Sequence, residues 1–100
     1  PVNGVFAYGY PFHPPKKTQW RVEHFARLAA PLHIIQGERD PFGHKAEVSA
    51  LSWPNVTTHW LSSADHDFKP LKSSGLTQQE LINQAAVFTR RSIDAIISKN

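Results

Sequence analysis

The sequence contains no cysteine, so it can build neither a disulfide framework nor a thiolate metal site. No apolar run approaches the roughly 20 residues of a membrane-spanning helix, and a membrane is not an expected partner. The first ten residues, "PVNGVFAYGY", lack the basic region and cleavage site of a signal peptide, so evidence of secretion would lie upstream of residue 1, and the cytoplasm is the expected setting. Striped positive charge is missing too. The eleven Lys and Arg are scattered, with only Lys16-Lys17 and Arg90-Arg91 adjacent, and the net charge is +3. A surface that tracks phosphates needs clustered cations, so nucleic acid is not expected as a partner either. Internal repeats, low-complexity tracts and linkers are likewise lacking.

What remains is a chain of 100 residues with 40% hydrophobic content, one domain or a piece of one. A chain of this size buries only about two-thirds of its unfolded surface. Strand-like and helix-like stretches alternate along it. Val5 to Tyr8, within "GVFAYGY", is apolar at every position, as in a strand of a parallel sheet covered on both faces. "YPFHPPKKTQ" is a loop, because three prolines leave few backbone donors.

Thr18 is placed to cap a short helix through "QWRVEHFARLAA", in which Phe25, Leu28 and Ala29 share a face and which Pro31 ends. "PLHIIQG" reads as the second strand. A helix of about two turns is expected in "HKAEVSALS", and "VTTHWLSS" is the third strand, rich in β-branched and aromatic residues. Thr77 and Glu80 have capping-box spacing ahead of a last helix. Its apolar face comprises Leu81, Ile82, Ala85, Phe88, Ile93, Ile96 and Ile97. The order β, α, β, α, β, α implies an α/β fold, with three parallel strands joined by right-handed crossovers.

In such a sheet all carboxyl ends lie on one edge, where ligands bind. The loops "GYPFHPP", "GERDPFG" and "ADHDFKP" therefore bring His13, Asp40, His44 and His66 toward one rim. An aspartate bonded to one ring nitrogen of a histidine fixes its tautomer and stabilises the imidazolium, as in the general-base half of a catalytic triad. Asp40 and His66 are the candidate pair. Each also has a plain reading: Asp40 before Pro41 is a turn initiator and His66 is a solvated loop residue, while Asp65 or Asp67 competes to be its partner. A metal site of His13, His44, His66 and Asp40 is disfavoured, because no two of them sit at i, i+4 on one expected helix. No cofactor is implied. His24, His33 and His59 read as structural, with His33 and His59 bonded to backbone or water.

The segments "GYPFHPP", "PLHIIQGERDPFG" and "HWLSSADHDFKPLKSSG" together resemble the carboxyl-terminal half of an α/β-hydrolase, more narrowly the dienelactone-hydrolase-related branch of small bacterial serine hydrolases. The resemblance implies that the three strands are the sixth to eighth of that fold. It implies Asp40 as triad acid and His66 as triad base, acting on an ester, thioester or related acyl substrate. The "GYPFHPP" loop would wall the pocket, with Tyr10 and Phe12 as apolar lining. The family's Gly-x-Ser-x-Gly nucleophile turn does not occur in these residues.

The expectation is thus a C-terminal portion of a single hydrolase domain of roughly 200–250 residues, with the nucleophile upstream. An apolar first strand left at an edge invites pairing by the rest of the polypeptide or by a second copy. The alternative is a non-enzymatic interaction module that keeps the fold. A cysteine nucleophile upstream is a third reading.

Overall fold

A computed structural model describes residues 4–15 and 19–98. The expected cap at Thr18 lies outside the described residues. Strands β1 (Val5–Tyr8), β2 (Leu32–Gly37) and β3 (Val56–Leu61) form one sheet in the order β1-β2-β3. Both pairings are parallel, with Val5 opposite Leu32 and Leu32 opposite Val56. Strand β2 is central, and five of its six residues are buried. That explains its nearly continuous apolar run, since a strand covered on both faces has no solvent side to alternate toward.

Alternation along the strands sends side chains into two separate cores. On one face Leu32 and Ile34 pack with Phe12, Phe25 and Val48, and Trp20, Trp53 and Trp60 lie against them. On the other, Ile35 and Leu61 pack with Ala64, Leu81 and Ala85. The second face is covered by α2 (Gln78–Ser98), where the Thr77 hydroxyl accepts the N–H of Glu80 at 3.1 Å. Only part of the expected apolar face of α2 reaches the sheet. Leu81 and Ala85 are buried, whereas Ile82, Ile93 and Ile97 stay exposed.

The crossovers are shorter than expected. The segment after β1 forms a short 3-10 helix, Glu23–Arg27, instead of a helix through residue 30. Phe25 N–H bonds to Val22 O in the three-residue spacing, and the Arg21 carbonyl accepts the Tyr10 hydroxyl. The α-helical ladder is thereby pre-empted at its first turn. Helix α1 is one turn, Lys45–Val48, where two were expected; Val48 is its only buried residue, so packing offers nothing to extend it.

Candidate active site

The loop that follows β2 turns on Asp40. One carboxylate oxygen, Oδ1, accepts the N–H of Phe42 at 2.8 Å, closing an Asx turn over Pro41. The other, Oδ2, lies 2.8 Å from Nδ1 of His66. The turn-initiating and histidine-partnering readings of Asp40 therefore hold together, one for each oxygen. Asp40 has no exposed surface, while the His66 side chain is 38% exposed. No hydrogen bond from another described residue occupies the Nε2 of His66.

The loop after β3 is built to hold that imidazole. Asp65 does not compete for His66. Its Oδ1 accepts the N–H groups of Asp67 and Lys69, each at 2.9 Å, and so shapes the turn from inside. Ser63 and Phe68, which flank His66, take left-handed backbone conformations at φ 60° and 62°. Such geometry costs about 1–3 kcal/mol and persists only where the surroundings impose it. Here they do: Arg39 donates to Ser63 O and to Lys69 O, and Ala64 bridges Pro70.

Two further neighbours fix the ring. The Phe42 ring lies 4.6 Å from it, centroid to centroid. Gly9, at φ +73°, ends β1 directly beneath it; a Cβ there would sit 3.2 Å from Cε1 of His66. Gly37 is equally constrained, since a Cβ would run into the backbone carbonyls of Ala64 and Asp65. The loop carrying His66 can cross the end of β2 only because that position has no side chain.

The first loop is fastened by Gln36, a fully buried amide at the carboxyl end of β2. Its Oε1 accepts Tyr10 N–H at 2.7 Å, and its Nε2 donates to the carbonyls of Tyr10 and Gly43, each at 3.1 Å. One side chain thus ties the loop after β1 to the loop that carries Asp40. Sequence reasoning missed Gln36, Arg39 and Phe42. A polar residue inside the apolar run "LHIIQG" was the available signal for Gln36, because a buried amide has to find partners.

The expected pocket lining is corrected at Phe12. It has no exposed surface and is packed among Phe25, Trp20 and Trp53, so it is core. Tyr10 is half-buried, with its hydroxyl donating to Arg21 O at 2.7 Å. Burial pushes the Tyr10 hydroxyl up from its usual range, and Glu23 adds to this against Arg21.

The four residues of the metal reading do not converge: His13 and His44 both lie against Glu47, apart from the Asp40–His66 contact. His13 is buried and bonds through Nε2 to Glu47, while Asp40 and His66 form the other contact. Among the described residues no three His, Cys, Asp or Glu side chains gather as a metal site. Both ring nitrogens of His13 face acceptors, Pro14 O and Glu47 Oε1. The bond to Pro14 raises its pKa, burial opposes this, and Glu47 adds to the rise. For Glu47, burial pushes the carboxyl up, but the bonds from His13 and from the His44 N–H outweigh it and leave the pKa below the usual value.

His33 and His59 depart from the expected backbone bonds. Neither bonds to backbone. Phe6, His33, His59 and Phe88 stack in a ladder, with centroids 5.0, 5.8 and 5.0 Å apart. Nδ1 of His33 and Nε2 of His59 are buried in it with no hydrogen-bond partner among the described residues. Burial lowers both pKa values, and the neighbouring His33 adds to the effect at His59.

A parallel sheet with a buried aspartate and a histidine on loops at its carboxyl edge is the architecture of an α/β-hydrolase-type fold. The sequence agrees: the family profile described as an alpha/beta hydrolase domain matches residues 1–94, and the chain belongs to that family. No curated protein and no solved structure gives a significant match. Among the described residues no helix is long and apolar enough to cross a membrane.

Proposed function

We propose that these residues supply the acid and base of a serine hydrolase acting on an ester, thioester or related acyl substrate. The observation that carries this reading is the Asp40–His66 hydrogen bond, with the acid wholly buried and the far ring nitrogen of the histidine unoccupied. In the proposed reaction His66 Nε2 takes the proton of a serine hydroxyl as its oxygen attacks the acyl carbonyl. Asp40 holds the tautomer and stabilises the imidazolium. His66 then protonates the leaving group, and water repeats the sequence to release the acid.

The nucleophile in this proposal lies outside residues 1–100, upstream in the polypeptide, because no Gly-x-Ser-x-Gly turn occurs within them. The exposed edge of β1, where Val5 and Tyr8 are 45% and 53% accessible, supports a further strand pairing there, from the same polypeptide or a second copy. On this reading β1, β2 and β3 are the sixth to eighth strands of a dienelactone-hydrolase-related enzyme, and Tyr10 is the candidate wall of its acyl pocket. A second reading, a non-enzymatic interaction module, is favoured by one observation: no described hydroxyl hydrogen-bonds to His66.

Turnover separates the two. General acid–base help contributes about 10²–10⁴-fold, and one lost oxyanion donor costs about 10²–10³-fold. Residues 1–100 alone are therefore expected to hydrolyse p-nitrophenyl butyrate no faster than imidazole does, whereas the complete polypeptide shows saturable hydrolysis that His66→Ala abolishes. Hydrolysis by the complete polypeptide that is indifferent to His66→Ala refutes the assignment.

A further inference from the structure

The ladder of rings borders a cleft that the proposed hydrolase chemistry does not use. It has a volume of about 570 Å³ and lies between α2 and the amino ends of β2 and β3, the opposite edge of the sheet from His66. The size suits a small organic molecule. Its polar lining comprises His33, Asn55, Thr57, His59, Arg91 and Ser92. None of these side chains makes a hydrogen bond or ion pair with a described residue, so their donors are uncommitted. The apolar lining comes from Phe88, Ala95 and Ile96, on α2 beside Arg91 and Ser92, and from Pro31.

The charge of the lining has one sign. Arg91 and two imidazoles face the cleft, and no aspartate or glutamate among the described residues lines it; Asp94, also on α2, is not part of the wall. An unpaired guanidinium beside imidazole and amide donors matches a carboxylate, which accepts a planar fork of N–H groups. The Phe88 ring, stacked on His59 at 5.0 Å, offers a flat apolar surface to the rest of the ligand.

We propose that this cleft binds a small organic carboxylate with a flat apolar body, its charge on Arg91 and its body against Phe88. The proposal is independent of the hydrolase reading, since no residue of the Asp40–His66 site takes part. Binding an anion beside the two imidazoles favours their protonated forms, so by reciprocity the carboxylate binds more tightly as pH falls through their titration. The low pKa values that burial imposes on both keep the free cleft from charging first.

The test uses the complete polypeptide, with sodium benzoate as the probe and benzamide as its neutral counterpart at matched ionic strength. Histidine Cε1–H resonances are followed by NMR. Benzoate is expected to shift His33 and His59 saturably and to raise their pKa values, and benzamide to leave them in place. Arg91→Gln, at an exposed position where folding is undisturbed, should weaken benzoate about tenfold, the loss of a charge-assisted bond. The proposal is overturned if benzamide shifts the two histidines as strongly as benzoate, if sulfate displaces benzoate at equal concentration, or if Arg91→Gln binds benzoate unchanged.

Discussion

Nδ1 of His66 lies 2.8 Å from Oδ2 of Asp40, a carboxylate with no exposed surface whose other oxygen is held by the N–H of Phe42. The acid is thus gripped on both oxygens. It can hold the histidine ring in one orientation without moving itself. The far nitrogen, Nε2, is left on the exposed side of a ring backed by Gly9 and Phe42.

Replacing Asp40 by Asn tests the polarity of that contact. Asn can still accept from Phe42 N–H through its oxygen, but it then presents an NH₂ group to Nδ1 and forces the wrong tautomer. Ester turnover by the complete polypeptide is expected to fall about 10⁴-fold with the fold intact, as checked by circular dichroism and steady-state kinetics.

Gly9→Ala separates positioning from folding. The new Cβ meets the imidazole and takes an unfavourable φ of +73°. The backbone cost is about 1–2 kcal/mol, and a ring displaced by about 1 Å costs about 10²-fold in kcat. Thermal denaturation beside kinetics should show a larger loss of activity than the stability change explains.

Gln36→Leu should be among the most destabilising single changes in the chain. It leaves Tyr10 N–H and the Gly43 carbonyl without their partner inside the fold, at about 1–3 kcal/mol for each unsatisfied group. Urea unfolding measures this directly, and Gln36→Leu as stable as the parent would show that water replaces the clamp.

Stability should respond to pH with opposite signs at two places. The pKa of His13 is raised, so its bond to Glu47 stabilises the fold fully below about pH 6.5 and fades as pH rises through the higher folded value. Glu47 is depressed, so the same bond is also lost as pH falls through that lower pKa. His33 and His59 are lowered, so their effect reverses: the fold loses stability as pH drops below about 6.5 toward their folded values. Urea unfolding from about pH 5 to 9 should show His13→Gln flattening the alkaline fall and His59→Phe flattening the acid one.

The strands were legible because each announces itself locally: Ile34 and Ile35 in an apolar run, Val56 to Thr58 in a β-branched one. The cap of α2 was legible in the spacing of Thr77 and Glu80 for the same reason. The segment around Phe25 was not, because its helical periodicity was overruled by a distant residue, the Tyr10 hydroxyl taking the Arg21 carbonyl. Phe12 misled in the same way. The resemblance places Phe12 in the pocket lining, and only the packing of Trp20 and Trp53 around it makes it core. Asp40 and His66 could be paired from topology and resemblance, but the role of Asp65 could not: its Oδ1 is taken up by the N–H groups of its own turn.

The central claim is that His66 serves a nucleophilic serine of the same protein. The most direct measurement is mass spectrometry of the complete polypeptide after exposure to a fluorophosphonate, compared with its His66→Ala variant. The account predicts one adduct, on a serine in a Gly-x-Ser-x-Gly turn outside residues 1–100, formed rapidly in the parent and barely in His66→Ala. No adduct, or equal labelling of both proteins, would contradict it.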